Sequence, residues 1–223
     1  MKCSRWVVLA MASALLAATA LPAVGKGATV GSSSGVSWFA EPERSIGHSK
    51  LWRDDDGVRM SFKTSELAPA ETLTIWWVVF NEPENCSAPG CGEDDIFVNG
   101  DPNQGLNLAA IAAADIVAGY ATGKVASEGG QANLNARLGE GEIGPEVIFG
   151  AGALLKDTRG AEIHLVARSH GPAIPGLEDI QTGSYAGGCE VFLNPPAIPE
   201  AEGECADIQF SVHLPWAFEG GLT

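Results

Sequence analysis

The run Thr72–Asn81 reads TLTIWWVVFN; nine of its ten residues are β-branched, aromatic or leucine, and none is charged. A strand of that composition has no face suited to water, so it is predicted to lie in the middle of a sheet with cover on both sides. Asn81-Glu82-Pro83-Glu84 marks its end, and Cys86 and Cys91 follow at once. Upstream, Lys50–Arg53 and Val58–Lys63 flank Asp54-Asp55-Asp56-Gly57, an Asp-Gly hairpin signal between two strand-like runs. In the second run Val58, Met60 and Phe62 alternate with Arg59, Ser61 and Lys63, the pattern of a strand with one wet face.

Further along, Leu106–Ala118 is Ala-rich and fits a short helix or a buried strand equally. Tyr120–Ser127 and Gln131–Leu138 flank Glu128-Gly129-Gly130 and are expected to form a hairpin. Strands are also predicted at Ala161–His170, Glu190–Asn194 and Ala206–Leu214. In the last of these Ile208, Phe210, Val212 and Leu214 alternate with Asp207, Gln209, Ser211 and His213, which reads as half-buried with the apolar set inward. Frequent short strands, abundant Gly and Pro, and little amphipathic helix argue for an all-β fold. The expected form is an antiparallel β-sandwich, with a barrel as the alternative.

The first 23 residues have the form of a signal peptide. Lys2 and Arg5 make a basic start, an apolar run of about 15 residues is shorter than the ~20 of a membrane span, and Ala20-Leu21-Pro22-Ala23 suits a signal peptidase. The expected organisation is a leader over 1–23, a flexible Gly/Ser-rich segment over 24–35, and one domain over 36–223. Export to an extracellular or periplasmic space follows. Across the chain 13 basic residues face 28 acidic ones, a formal net charge of −15. Such a surface disfavours nucleic acid and anionic membranes, and leaves an unidentified ligand or protein as partner.

Four cysteines lie beyond the leader: Cys86, Cys91, Cys189 and Cys205. In an exported chain they imply disulfides with three possible pairings, of which the local set, Cys86 with Cys91 and Cys189 with Cys205, is favoured. Their spacings fit no common zinc pattern. Two literal motifs carry no chemistry. Gly31-Ser32-Ser33-Ser34-Gly35 lacks the strand before and helix after that a nucleophile elbow needs. Gly139-Glu140-Gly141-Glu142-Ile143-Gly144 is followed by Pro145 and a β-like run rather than a helix.

The metal candidates are Asp94, Asp95, Asp101, His164 and His170. Asn99-Gly100-Asp101-Pro102-Asn103 resembles the opening of a calcium loop, but Gln104 and Ala110 stand where an EF-hand has Gly and Glu. An irregular calcium site remains the one cofactor candidate. His164 and His170 point to one face of their strand by spacing. A regular strand, however, separates their Cα atoms by about 20 Å, too far for one ion without a bend near Arg168 or Ser169.

The segment from Ile163-His164 to His170-Gly171-Pro172-Ala173 resembles the histidine-containing strand of chordin-type (CHRD) domains, secreted β-sandwiches. The run from Thr72 to Cys189 is similar to that of uncharacterised secreted proteins carrying WWVVFN, CGEDD and HGPA-type segments. The resemblance covers about half the chain and departs from the chordin-type pattern, whose two histidines lie closer together. It implies a sandwich fold and an interaction role, and supplies no catalytic residue. The functional expectation is therefore a secreted, non-catalytic binding or structural module. The alternatives are a metal-binding protein using His164 and His170, or an extracellular enzyme whose residues the sequence does not mark.

Overall fold

The structure, a computed structural model, describes residues 27–189 and 205–216. The leader over 1–23 and the strand expected at 190–194 lie outside the described residues. Among the described residues nine strands form one antiparallel sheet: β1 Val30–Trp38, β2 Glu41–Asp54, β3 Gly57–Thr64, β4 Glu71–Phe80, β5 Ile116–Val125, β6 Ala132–Gly139, β7 Val147–Phe149, β8 Glu162–Pro172 and β9 Ala206–His213. Their order is β6-β3-β2-β1-β9-β8-β4-β5-β7. Three short helices, α1 Glu93–Ile96, α2 Leu108–Ala113 and α3 Glu178–Thr182, sit outside the sheet sequence.

β4 is the TLTIWWVVF strand, hydrogen-bonded to β5 on one side and β8 on the other. Its pleat sends Leu73, Ile75, Trp77 and Val79 into the main core, where they meet Phe62, Leu134, Ile163 and Leu165. Trp76, Val78 and Phe80 point the other way into a second apolar cluster with Ile96, Ile111 and Ile116. That second face is roofed by the excursion between β4 and β5, which carries α1 and α2. The cover explains why β4 has no polar alternation.

β2 and β3 form the expected hairpin, closing on Asp54 opposite Gly57. A Cβ on Gly57 would collide with Leu138 O on β6, so the residue there is dictated by close backbone approach. The Ala-rich stretch divides between helix and strand: Asn107 caps α2 by accepting from Ala110 N, and β5 begins at Ile116.

Three expectations need correction. The Gly/Ser-rich stretch is no flexible segment from Val30 onward, because β1 pairs with β2 from Val30 opposite Arg53 to Trp38 opposite Glu41. Small residues suit it because Gly31 lies against the indole of Trp52, where a Cβ would sit 3.3 Å from the ring. Second, β5 and β6 are not a hairpin ladder. The turn itself forms, with Ser127 N donating to Gln131 O at 2.9 Å, but β6 pairs with β3 along its whole length. Pairing with β3 places Leu134 and Leu138 in the core beside Val58, Met60 and Phe62, and that burial outweighs a local ladder.

Third, β9 is inverted relative to its hydrophobic pattern. Gln209, Ser211 and His213 are fully buried, while Ile208, Phe210 and Val212 are only half-buried. β9 meets β1 at Ser37 and Trp38 alone. Beyond that point the two strands part, and polar side chains fill the seam.

Candidate functional site

Among the described residues the chemistry-bearing side chains singled out by the sequence, with their buried neighbours, fall into three groups. The first is the seam beside β9. His213 on β9 stands between Ser32 Oγ of β1 and Ser49 Oγ of β2, each 2.8 Å from a ring nitrogen. Burial, with the nearby charge of Arg53, pushes its pKa down to about 3, so the ring is neutral and uses both nitrogens in hydrogen bonds. Gln209 Oε1 accepts from Thr64 Oγ1 at 2.6 Å. Arg53, buried on β2, donates to the carbonyls of Thr158, Ala161, His213 and Leu214 at 2.8–3.3 Å. Its guanidinium thus ties β2 to the start of β8 and the end of β9.

The second group lines the outer face of β8. Glu162 Oε1 accepts from Cys91 N at 3.0 Å and lies 2.7 Å from His164 Nε2. The His164 ring rests on Phe80 at 4.8 Å between centroids. Further along, His170 Nε2 lies 2.8 Å from Thr74 Oγ1, and its Nδ1 is 3.3 Å from Cys189 Sγ. Burial, and then the charge of Arg168, lower the His170 pKa to about 4. Gly187 sits flush on the imidazole, with no room for a Cβ. Gln181 on α3 closes the turn after β8, donating to Thr72 Oγ1, His170 O and Pro172 O and accepting from Ile174 N.

The third group is the acidic loop between β4 and β5. Asp95 is buried at the start of α1 and accepts from Ser87 N and Gly92 N at 2.7 and 2.9 Å. Asp101 accepts from Asn103 N, Asn103 Nδ2 and Gln104 Nε2, and these bonds, the backbone one first, hold its carboxyl below the usual range. Asp94 lies against Gly100 instead.

Among the described residues the ligand atoms of Asp94, Asp95 and Asp101 do not gather around a common point, and His164 and His170 bond to different neighbours, Glu162 for the first and Thr74 and Cys189 for the second. β8 does shift register against β9 between Ala167 and Arg168, where a bend was required. That shift leaves His164 on Phe80 and His170 on Cys189. The clusters that do gather are His170 with Cys189 and Cys205, and Asp95 with Cys86 and Cys91. In both, the cysteines are paired as disulfides: Cys86–Cys91 with Cα atoms 5.3 Å apart, and Cys189–Cys205 with Cα atoms 6.1 Å apart. Two such bonds fit an oxidising, extracellular-type compartment. No helix among the described residues is long and apolar enough to cross a membrane.

Sequence reasoning missed Arg53, Gln181 and His213. The one signal for His213 was its place in a period-two polar set, and that set was assigned to water. Comparisons with protein-family models, with curated proteins and with solved structures returned no match.

Proposed function

We propose that this chain is a secreted, disulfide-bonded β-sandwich module that binds or supports other molecules without catalysing a reaction. The observation that carries the reading is the use of its buried chemistry-bearing side chains. Asp95, Glu162, His170 and His213 each end on a backbone amide, a hydroxyl or a neighbouring ring, the pattern of groups that hold a fold together. The sandwich form is supported by β5 and β6, near opposite ends of the sheet, facing the same core without the closing hydrogen bonds of a barrel between them.

The reading is tested by incubating the secreted protein with chromogenic esters, glycosides and peptides. Turnover stays at background; turnover that Glu162→Gln or His170→Gln abolishes overturns it. N-terminal sequencing of the same material is expected to begin between about Ala23 and Lys26, and an intact Met1 in a membrane fraction would refute export.

A second reading rests on the gathering of His170, Cys189 and Cys205. If the two cysteines are reduced, they and the imidazole make a nitrogen–sulfur donor set suited to zinc or copper(I). The metal-binding alternative then runs through His170 without His164. Titration of zinc and copper(I) into reduced and oxidised protein decides it: stoichiometric binding by the reduced form, lost in His170→Gln, supports this reading.

A further inference from the structure

The outward faces of β2, β3 and β6 carry a basic surface on a chain whose net charge is −15. Register sets it out in rows across the strands. Trp52 stands opposite Arg59, and Arg59 opposite Arg137; two residues along, Lys50 stands opposite Ser61; two further, His48 stands opposite Lys63. No acidic side chain occupies any of these positions. β1 flanks the rows with the small residues Gly31, Ser33 and Gly35, so it sets no large side chain beside them. The nearest carboxylates are at the rim and reach only loosely, Asp54 at 3.8 Å from Arg59 and Glu142 at 3.9 Å from Arg137. Among the described residues Lys50 and Lys63 have no carboxylate within ion-pair distance.

Two open depressions lie on this side. One, of about 440 Å³, is lined by Trp52, Arg59 and Arg137. The other, of about 690 Å³, is lined by His48, Lys63 and Lys124. Each therefore pairs cations with a ring. Trp52 keeps 37 % of its surface exposed, so part of its indole is open to a ligand.

We propose that this face binds an extended acidic polysaccharide, the acid groups pairing with Arg59, Lys63 and Arg137 and a sugar ring stacking on Trp52. The occupant follows from complementarity. Lysine and arginine attract repeated anions, and arginine holds carboxylate or sulfate in a two-pronged hydrogen bond. Arg59 and Lys63 are about 13 Å apart along the strand, a span suited to successive charges on a chain. An indole offers a flat apolar surface to the C–H face of a sugar. Asn133 and Asn135 on β6, beside Lys63 and Ser61, offer amides to hydroxyls. Nucleic acid and anionic vesicles bring the same sign of charge over a wider area, and the acidic remainder of the chain repels them.

This inference rests on the binding-module reading and is tested so that the two can fail separately. The secreted protein is passed at low salt over immobilised polygalacturonate, dextran sulfate, plain dextran, poly-L-glutamate and duplex DNA. Retention is expected on polygalacturonate or dextran sulfate, the stronger of the two telling carboxylated from sulfated glycan, with release by about 0.5 M salt as charges are screened. Lys63→Gln with Arg137→Gln should weaken binding about tenfold, and Trp52→Ala should weaken it at unchanged net charge. Arg44→Gln with Lys156→Gln, the same charge loss elsewhere, should leave it unchanged. All five positions are exposed, and circular dichroism confirms that each variant is folded. Absence of retention on both acidic glycans, equal retention on poly-L-glutamate or DNA, or equal loss in the control pair overturns the proposal. Depolymerisation of a retained glycan would defeat the non-catalytic reading while leaving the face in place; no retention removes the face and leaves that reading untouched.

Discussion

His213 shows how a titratable side chain becomes a structural one. With no exposed surface and a serine hydroxyl at each nitrogen, it has nothing to gain from a proton and much solvation to lose. Its pKa is about 3 in the fold and ordinarily 6.5. Between those values the unfolded chain binds the extra proton, so the stability His213 contributes is present above pH 6.5 and lost as pH falls. Each pH unit in that window costs about 1.4 kcal/mol. Urea unfolding between pH 7 and 5, where ordinary carboxylates stay ionised, should show the native midpoint falling and a shallower fall in His213→Gln. Arg53 makes the complementary point. Arg53→Met would strand four carbonyls that the guanidinium now satisfies, and is expected to cost about 3 kcal/mol or more. A loss under 1 kcal/mol in the same assay would mean that water replaces it.

At the level of strands and loops, composition and position pull in different directions. β4 obeys its composition because two separate apolar clusters receive its two faces. β9 defies its alternation because the seam beside β1 offers Ser32, Ser49 and Thr64 as partners for polar groups. Its half-buried Phe210 finds a stacked partner in Phe39 at 4.7 Å. The disulfides act on loops of different length. Cys189–Cys205 spans 16 residues and Cys86–Cys91 spans 5. In the chain-entropy account serine replacement of the longer pair should cost about 3 kcal/mol and of the shorter about 2. Denaturant midpoints of the two double variants check the order; a larger loss from the short loop would argue that its contacts with α1, and not closure entropy, set its worth.

At the scale of the molecule, β1 and β9, the first and last strands among the described residues, are neighbours in the sheet. β9 enters between β1 and β8, so strands from both halves of the sequence pair with the last strand among the described residues. A chain ending before Ala206 would leave β1 and β8 with open edges and remove the partners of Ser32, Ser49 and Thr64. Such a truncation is expected to aggregate and to lose the cooperative transition of the full chain. A soluble, cooperatively unfolding product in calorimetry would show that β9 is an accessory strand.

Local chemistry was legible in the amino-acid order. The buried central strand, the Asp-Gly hairpin and the local cysteine pairing all depend on residues close in sequence. Their physics is complete within a few neighbours. Strand partners were not legible. The turn at Glu128–Gly130 forms as its glycines predict, yet β6 leaves β5 for β3, since burial of Leu134 and Leu138 is settled by residues some 70 positions earlier. Nor was the facing of β9. Alternation separates two sets of side chains but does not say which is inside, and here distant strands supply hydrogen bonds to His213 and to Gln209 Oε1. The basic face has the same origin. Trp52, Arg59 and Arg137 are ordinary wet-face residues in the sequence, and only the pairing of β2, β3 and β6 sets them in one row.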